Sequence, residues 1–545
     1  MTTTPDVLVI GGGATGAGIL RDLTRRGLRG LLVDRGDAGS GTSGRYHGLL
    51  HSGARYVVSD PLAARECAAE NEILRRIAPR TIVDPGGWYA PAPGDPAAYA
   101  DGFAAACAAA GVPCEERPVA ELLRREPGLH PALGRAFHVR DAALEPWELI
   151  EANLADAESL GAEVRRYRRV VGIERVDRRI LSVTLADQRS GSVERVMPRL
   201  VVSAGGAWAG GIAALAGVRL PMAPGKGTML VFAQRLADTV VNRCHLPGDG
   251  DLMVPVHTVS ILGTTDVPVV DPDDTTVDRA EVAALLDAGE RLFPGLRQRR
   301  LLRAYAGMRP LLAAPTPDEG GADPLPGVSV ERARSRSHVV LDHGRDGVDD
   351  FISVVGGKLT TYRLMARETV DLAARKLGVQ ARCTTGEVQL PGQDPARHYW
   401  LGSRLAAQEA PGGGDADLIC ECELVTRDAL DAFLEAREPC SLDDVRRGTR
   451  LGMGPCQGGF CAFRAAGVMA ERRTRQGEPL AALGEPTLAA SRAFLAERLA
   501  GTRAIAWGRQ VQELLLVDGI YRCTLGLTGP PEADPIGAGE PDAER

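Results

Sequence analysis

The stretch Asp6–Asp34 constrains the fold more than any other part of this 545-residue chain. A short apolar run leads directly into Gly-Gly-Gly-Ala-Thr-Gly at residues 11–16, and apolar residues at helical spacing follow. A second apolar run ends on Asp34, eighteen residues beyond Gly16. The order of strand, G-x-G-x-x-G motif, helix, strand and acid predicts a Rossmann-like dinucleotide site.

Each glycine of the motif has a physical role in such a site. Gly11 allows the tight turn, Gly13 lets the backbone approach a pyrophosphate, and Gly16 lets the helix pack close to the strand. The helix N-terminus faces the phosphates, and Asp34 is placed to hydrogen-bond a ribose hydroxyl. An ordinary glycine-rich turn is the alternative, but the flanking strand, helix and acid all favour the nucleotide site. The Gly/Ser/Thr loop at residues 39–44 comes next, either as a cofactor-phosphate contact or as a plain flexible loop.

Composition excludes several classes of protein. The apolar content of 44% and charged content of 25% are normal for a soluble globular protein. A net charge of −7 argues against a general nucleic-acid surface, which would be basic. No apolar run reaches the roughly 18–20 residues of a membrane span. The eleven cysteines, an odd number, are mostly scattered, and the chain goes straight into its first strand. We therefore expect no signal peptide, no disulfide framework and a cytoplasmic location.

Two further segments carry features of a site. Residues 45–56 hold two histidines, two arginines and two tyrosines among small residues. Burying so many polar groups unpaired would be costly, so the segment is a site or a solvated loop rather than core. Gly356 and Gly357 stand between an apolar run and a helix predicted to start near Leu359. This second helix N-terminus favours FAD over NAD, because a nicotinamide Rossmann domain needs no distant closing segment.

Four motifs together resemble FAD-dependent glycerol-3-phosphate dehydrogenases: residues 47–56, 261–266, 307–311 and 356–363. The segment Ala204–Trp208 is similar to the A-G-x-W segment that borders FAD in the glycine-oxidase-like superfamily. The resemblance spans about the first 385 residues. It implies an α/β fold, in which a Rossmann-like FAD-binding domain of the glycine-oxidase-like (DAO) superfamily carries a substrate-covering α+β domain.

The expected domain organisation follows from this resemblance and from the composition of the remainder. The oxidoreductase is expected at 1–385, with nucleotide-binding parts at about 1–80, 145–217 and 325–385 and substrate-covering parts at about 81–144 and 218–324. A linker at 386–417, a small helical cysteine-rich domain at 418–475 and a helical tail at 476–545 with a disordered end are expected to follow.

The resemblance implies sn-glycerol 3-phosphate as substrate, which carries a phosphate dianion and a secondary alcohol. Arg55, Arg309 and Lys358 match the family's cations, and Tyr56 adjoins them in the expected substrate site. A base must take the alcohol proton while hydride goes to the flavin. His51 is the first choice and Lys358 the second; surface charges and a structural histidine are the alternatives.

The sequence departs from the family at one position of the site. Aerobic relatives carry a histidine in the segment 226–229, where this chain has Met229. A scheme that uses that histidine as the base therefore does not apply here. The motifs and the resemblance together assign FAD contacts to Gly11, Gly13, Gly16, Asp34, Arg35, Thr42, Ser43, Gly44, His47, Gly48, Leu49, Ala204, Gly205, Trp208, Gly357, Lys358, Leu359 and Thr360.

Four cysteines near the C-terminal end form a C-x-C and a C-x₄-C pair among glycines: Cys420, Cys422, Cys456 and Cys461. This pattern suits a metal centre better than packing, and zinc is the lesser option because structural zinc prefers C-x₂-C pairs. The segment resembles the bacterioferritin-associated-ferredoxin-like domain, which implies a [2Fe–2S] cluster. Four inert thiols are the alternative.

The pairing of both regions in one chain resembles the A subunits of anaerobic glycerol-3-phosphate dehydrogenases. That resemblance implies two partners, namely a second catalytic subunit together with a membrane-anchored iron–sulfur subunit that passes electrons to quinone. It also implies a peripheral position on the inner face of the cell membrane. Two other classes stay open: a flavin oxidase or dehydrogenase for an amine or amino acid, which the Arg309 and Lys358 motifs disfavour, and a non-catalytic electron-transfer module.

Overall fold

The computed structural model describes residues 4–313, 337–393, 401–410, 417–437 and 440–520. The expected disordered end lies outside the described residues. Within the described ranges, no helix combines the length and the apolar character that crossing a membrane requires.

A six-stranded sheet, here called the nucleotide sheet, forms the base of the molecule. Val7–Ile10 lies inside it and pairs in parallel with Gly30–Val33 on one side and Leu200–Ser203 on the other. All three strands are completely buried, as expected for parallel strands with both faces covered. The strand order is His338–Asp342, Phe351–Gly356, Leu200–Ser203, Val7–Ile10, Gly30–Val33 and Glu163–Arg165, and the first strand is antiparallel to the second.

Helix Ala14–Arg25 follows the glycine motif and packs between helices Pro146–Ser159 and Tyr362–Leu377. Its Gly18 permits this contact, since a Cβ there would lie 2.9 Å from the Tyr362 ring. Helix Pro61–Ile77 begins after Asp60, whose carboxylate accepts the Ala63 N–H at 3.1 Å. The predicted strand–helix–strand start of the chain is therefore confirmed.

A mixed nine-stranded sheet, the covering sheet, lies over the C-terminal ends of the nucleotide strands. Gly225–Phe232 is buried at all eight positions and pairs with both Val259–Gly263 and Leu301–Arg309. Strand Leu301–Arg309 ends on Arg309, which lines the space between the two sheets. The other strands are Gly87–Ala90, Cys114–Arg117, Ala136–Val139, Val240–Arg243, Leu252–Val256 and Val267–Pro268.

Smaller elements complete the first part of the chain. An antiparallel sheet holds Arg168–Val176, Arg179–Asp187 and Val193–Val196, and a three-stranded sheet holds Leu49–Leu50, Ile82–Val83 and Ala142–Leu144. The remaining helices are Ala97–Ala109, Val119–Arg125, Ala209–Leu215 and Arg279–Glu290. The predicted α/β class is confirmed.

Residues 417–437 and 440–520 form a helical body, here called the cysteine unit. Two of its helix starts follow the sequence signals. The Ala429 N–H bonds Thr426 Oγ1 at 3.2 Å, and Ser441 and Asp444 form a reciprocal capping box. The unit contains the hairpin Leu418–Cys420/Val425–Thr426 and helices Arg427–Arg437, Leu442–Thr449, Cys461–Arg475, Leu480–Leu499 and Gly508–Gly519.

The region expected to be a tail is helical, but it is not separate from the cysteine unit. Phe494 and Leu495 are buried in the same apolar core as Cys420 and Cys461. Apolar side chains on helix Leu480–Leu499 drive this packing, which the sequence motifs did not indicate. The predicted linker likewise contains a helix, Leu401–Glu409.

A buried ionic network joins the cysteine unit to the rest of the protein. Arg450 Nε lies 3.0 Å from Glu423 Oε2, and its Nη1 contacts Glu145 at the start of helix Pro146–Ser159. His257, in the covering sheet's hairpin, lies 3.1 Å from Glu423. Burial raises the pKa of Glu423, but Arg450 and His257 outweigh it and hold that pKa at about 2. The network therefore fixes three parts of the molecule at one point.

We predict that Arg450→Met destabilises the protein by about 3–5 kcal/mol, because it leaves two buried carboxylates without their cation. Thermal and urea unfolding measure this loss. The matched control is Arg475→Met, whose guanidinium is 68% exposed and paired with Glu471, and which should change stability by less than about 0.5 kcal/mol. Equal stability of the two variants would contradict a role for the network in stability.

Candidate active site

A cavity of about 1020 Å³ lies between the nucleotide sheet and the covering sheet. The glycine motif forms one wall, residues 40–56 another, and the segments around 204–212, 307–311 and 356–359 close it. Its size and its mixed polar and apolar lining suit a large ligand. The cavity lies at the C-terminal ends of the parallel strands, where ligands bind in open α/β sheets.

The glycine motif presents a helix N-terminus to this cavity. Gly11 has φ +112°, and a Cβ there would lie 2.5 Å from the Ala204 carbonyl oxygen. A Cβ on Gly16 would lie 1.8 Å from the Gly11 carbonyl oxygen. Only glycine fits either position, so Gly16 brings the helix against the strand as predicted. The Ala14 N–H donates to Ser43 Oγ at 3.1 Å, which holds the following loop against the helix start.

Asp34 lines the cavity at the end of its strand. Its Oδ2 accepts the Gly12 N–H at 2.6 Å and its Oδ1 accepts the Gly36 N–H at 2.8 Å. Burial raises the pKa of the Asp34 carboxyl, and these two N–H groups oppose that rise. The carboxylate therefore braces the glycine turn, a structural role additional to the predicted ribose contact.

A cation–π pair borders the same end of the cavity. The Arg35 guanidinium lies 4.3 Å from the Trp208 ring centroid, and both side chains bond Asp273, at 2.7 and 3.0 Å. Arg35 lowers the pKa of Asp273 through its hydrogen bond. These contacts connect the two predicted cofactor segments through an acid that no sequence motif indicated.

Two of the three predicted catalytic residues, His51 and Lys358, lie against Tyr56 at another part of the cavity wall, whereas the third, Arg309, is held by residues 264–266. The His51 ring lies between the rings of His47 and Tyr56, with centroids 5.6 and 5.3 Å away. Lys358 Nζ lies 4.5 Å from the Tyr56 ring centroid. The His51 backbone N–H donates to Thr360 Oγ1 at 3.1 Å. Segments 47–56 and 356–360, far apart in sequence, are thus brought into contact.

Arg55 lines the cavity, but its charge is already matched within the protein. Its Nη2 lies 2.9 Å from Asp251 Oδ2 and 3.3 Å from the Gly248 carbonyl oxygen. Burial lowers the pKa of Arg55, but the nearby Asp251 carboxylate outweighs burial, so the pKa of Arg55 is raised overall. Asp251 also bonds His245 Nε2 at 2.6 Å. Arg55 is consequently less available to an anionic substrate than its sequence motif suggested.

Arg309 is held in one orientation by the segment 264–266. Its Nη1 lies 2.9 Å from Asp266 Oδ1, and its Nη2 donates to Thr264 Oγ1 at 2.5 Å and to the Thr265 carbonyl at 2.8 Å. The guanidinium lies over Gly227, where a Cβ would approach Nη2 to 2.7 Å. The cavity surface that includes Arg309 is therefore preorganised. Met229 lines the cavity on the same strand as Gly227.

Four predicted cofactor residues do not line the cavity: Gly16, Gly44, Gly48 and Thr360. Gly44 packs against the Gly39 carbonyl, which a Cβ would meet at 2.2 Å, and Gly48 turns the chain with φ +86°. Thr360 supports His51 instead. The cavity is lined by all the other predicted cofactor residues and also by His51, Arg55, Tyr56 and Arg309.

Three residues that hold predicted site residues in place were not identified from the sequence. Thr264 orients Arg309, and it lies within a motif quoted for the family resemblance. Asp251 and Asp273 pair with Arg55 and Arg35, and no local pattern marks either of them. Such partners come from distant segments and depend on the tertiary fold.

The four cysteines lie together in the cysteine unit. Their thiols form a hydrogen-bonded series: Cys422 to Cys456, Cys456 to Cys461, and Cys461 to Cys420. The Gly452 and Glu423 N–H groups bond the Cys420 sulfur, and the Gly458 and Phe460 N–H groups bond the Cys456 sulfur. The Cys461 thiol lowers the pKa of Cys456 to about 5 and that of Cys420 to about 7.

Four sulfurs surrounded by backbone N–H groups have the donor chemistry that an iron–sulfur cluster requires. However, over the described parts of the chain no group of three or more His, Cys, Asp or Glu side chains has an arrangement that could hold a metal ion. The predicted cluster therefore stays a prediction.

Comparisons with known proteins agree with this fold and cavity. The family model for FAD dependent oxidoreductases matches residues 6–363. The chain is 39% identical to the A subunit of the anaerobic glycerol-3-phosphate dehydrogenase of Escherichia coli, over 96% of this chain and 97% of that protein.

Solved structures extend the comparison to the fold. The FAD complex of glycerol-3-phosphate dehydrogenase from Bacillus halodurans superposes with a TM-score of 0.63 at 20% identity, covering 92% of this chain and 95% of that one. Glycine oxidase from Geobacillus kaustophilus gives a TM-score of 0.52 at 23% identity over 72% of this chain and 100% of that one. The predicted glycine-oxidase-like fold is confirmed.

The fold and the cavity define an FAD-dependent oxidoreductase. Within that class, the chain belongs to the glycerol-3-phosphate dehydrogenase family, with relatives named as A subunits of the anaerobic enzyme.

Proposed function

We propose that this chain oxidises sn-glycerol 3-phosphate to dihydroxyacetone phosphate and sends the electrons through a [2Fe–2S] centre toward a membrane quinone. The observation that carries the first part is a single cavity lined by a glycine-rich helix N-terminus, by a preorganised arginine and by a histidine–lysine pair. Such a cavity can hold a dinucleotide and an anionic alcohol together.

Arg309 is the proposed phosphate ligand. A guanidinium presents parallel N–H donors that match phosphate oxygens, and the residues 264–266 hold this one in a fixed orientation. Its protein partner Asp266 is 2% exposed at the side chain, whereas the Arg309 side chain is 17% exposed. Arg55 and Tyr56 also line the cavity, with the Arg55 charge offset by Asp251.

His51 is the proposed base for the substrate hydroxyl proton. The ring is buried in the cavity wall, and its backbone is fixed from both sides, by Thr360 Oγ1 and by the Asn71 amide at 3.0 Å. Lys358 lies beside it over Tyr56, where its charge favours the developing alkoxide. Oxidation then removes one proton at His51 and one hydride from carbon.

The chemistry that FAD supplies when bound is the acceptance of this hydride. Two helix starts would hold the cofactor. Residues 11–15 lie at the N-terminus of helix Ala14–Arg25, which favours the pyrophosphate, and Gly356 and Gly357 precede helix Tyr362–Leu377. Both glycines have positive φ, of +81° and +75°, so their backbones approach the cavity without side chains.

Cys420, Cys422, Cys456 and Cys461 are the proposed ligands of the [2Fe–2S] centre. Sulfur donors with several backbone N–H contacts support one-electron chemistry at such a centre. The name of the E. coli relative is that of one component of a larger enzyme, which supports further partner subunits for this chain. A peripheral position on the cytoplasmic face of the membrane through such partners follows from this proposal.

The direct test is anaerobic addition of substrate to purified, FAD-loaded protein. We predict that glycerol 3-phosphate bleaches the flavin absorbance, while glycerol and a panel of amino acids do not. The phosphate is essential because Arg309 and Lys358 have no counter-charge to contact on glycerol. Bleaching by glycerol at comparable concentration would refute phosphate recognition, and bleaching by an amino acid alone would refute the substrate.

We predict that Arg309→Lys retains FAD but raises the KM for glycerol 3-phosphate. The substitution replaces the proposed bidentate guanidinium–phosphate contact with a single ammonium–phosphate contact. The loss of binding free energy is about 1.5–3 kcal/mol, which raises KM about ten- to hundredfold. Steady-state kinetics with a dye acceptor measure it. Arg135→Lys, at an exposed ion pair with Glu116, is the control and should behave as wild type. A normal KM in Arg309→Lys would exclude it as the phosphate ligand.

We predict that Cys456→Ser loses iron and acid-labile sulfide, because a hydroxyl is a harder and far less acidic ligand than a thiol. Substrate should still bleach the flavin in this variant. Cys440→Ser, a cysteine of the same unit outside the two pairs, should keep its iron. Wild-type protein that contains zinc and no iron after anaerobic preparation would instead identify a structural site.

A further inference from the structure

A buried carboxylate, Glu281, lies behind the residues that hold Arg309. Glu281 is in the first turn of helix Arg279–Glu290, is 8% exposed and does not line the cavity. Its Oε1 accepts the hydroxyl groups of Thr228 and Thr265, each at 2.9 Å. The carboxylate therefore joins a strand of the covering sheet to the segment that orients Arg309.

The negative charge of Glu281 is matched by a buried lysine. Lys226 Nζ lies 2.9 Å from Glu281 Oε2, and both side chains are 9% exposed. The Asp278 N–H donates to the same oxygen at 3.1 Å, and Lys226 also donates to the Thr276 carbonyl oxygen at 2.7 Å. A buried charge that is paired and hydrogen-bonded in this way is tolerated, so both carboxylate oxygens serve as acceptors for fixed donors.

Thr265 connects this carboxylate to Arg309. Its carbonyl oxygen accepts a hydrogen bond from Arg309 Nη2 at 2.8 Å. Its hydroxyl donates to Glu281 and accepts the Thr228 N–H at 2.9 Å, and its own N–H donates to the Thr228 carbonyl oxygen at 3.3 Å. Thr265 is 2% exposed. The bonds to its hydroxyl and its N–H therefore fix the residue whose carbonyl oxygen orients Arg309.

We propose that Glu281 is a positioning residue for phosphate recognition, which sets the orientation of Arg309 through Thr265. This inference rests on the proposed role of Arg309 as the phosphate ligand. A bidentate guanidinium–phosphate contact needs two N–H donors in fixed directions, so a small displacement of the Thr265 carbonyl oxygen weakens it.

Two substitutions remove the Glu281–Thr265 hydrogen bond from opposite sides. Glu281→Gln leaves one acceptor oxygen, which cannot serve both the two threonine hydroxyls and the Lys226 ammonium. Thr265→Val removes the hydroxyl but leaves the carbonyl oxygen and the Glu281–Lys226 pair in place. Because both substitutions release the same residue, we expect them to have the same effect on phosphate binding.

The test is steady-state kinetics of the FAD-loaded variants with glycerol 3-phosphate and a dye acceptor, together with competitive inhibition by inorganic phosphate. We expect Glu281→Gln and Thr265→Val to raise KM and the inhibition constant of phosphate about three- to tenfold, the usual effect of one lost hydrogen bond. The kcat should stay within about twofold of wild type, since the lost contact acts on binding. Thr265→Ser, which keeps the hydroxyl, should return both constants to near the wild-type values.

Glu126→Gln is the matched control. Glu126 is 3% exposed, accepts the Thr239 hydroxyl and the N–H groups of Asp238 and Thr239, and does not line the cavity. This variant should lower Tm and leave KM and phosphate inhibition unchanged. An equal rise of KM in Glu126→Gln would assign the effect to general destabilisation and overturn the inference.

Thr265→Val decides the matter if Glu281→Gln does not fold. Wild-type KM and phosphate inhibition in Thr265→Val, with a raised KM in Arg309→Lys, overturn the inference and leave the proposed function intact. A wild-type KM in Arg309→Lys instead refutes the phosphate ligand, and the positioning role with it.

A double variant tests whether the two residues act on one contact. In protein that already carries Arg309→Lys, Thr265→Val should change KM by less than about twofold, because residues that share a contact are not additive. The full three- to tenfold factor in that background would overturn the inference, since Thr265 would then act independently of Arg309.

Discussion

The close contact of Gly16 with the Gly11 carbonyl is the constraint on which the site depends. Because no Cβ fits there, helix Ala14–Arg25 lies directly against the first strand and its N-terminus opens into the cavity. Asp34 braces the turn through the Gly12 N–H, and Ser43 ties the next loop to the helix start. The shape of this cavity wall therefore depends first on backbone geometry, which the Asp34 carboxylate and the Ser43 hydroxyl support.

The two family-matched arginines illustrate how the same residue type acquires different capacities. Arg55 directs its charge to Asp251, which is almost completely buried, so the pair is chiefly a support for the cavity wall. Arg309 also pairs with a buried carboxylate, Asp266, but its side chain is 17% exposed, and the neutral oxygens of Thr264 and Thr265 orient its Nη2. This preorganisation suits the proposed role of Arg309 as a ligand of an anion.

Much of the nucleotide part was predictable because local patterns determine it. The strand–glycine–helix order at the start of the chain and the glycine pair that precedes helix Tyr362–Leu377 depend on neighbouring residues. The partners of charged groups were not predictable in this way. The pairs Arg55–Asp251, Arg35–Asp273 and Arg450–Glu145 join residues 196, 238 and 305 positions apart, and no spacing rule encodes them.

The packing of Phe494 and Leu495 into the core of the cysteine unit was not predictable for the same reason, and it bears on the proposed electron transfer. Past helix Leu480–Leu499, the Gly501 carbonyl accepts the Ala304 N–H at 3.1 Å, and a Cβ on Gly501 would lie 1.6 Å from the Ala304 oxygen. The segment just past helix Leu480–Leu499 is thus hydrogen-bonded to the covering sheet, at the strand that carries Arg309. Under the proposed function, a one-electron carrier in this unit would not swing on a tether between donor and acceptor. Electrons would then cross by tunnelling at constant separation, at a rate insensitive to solvent viscosity.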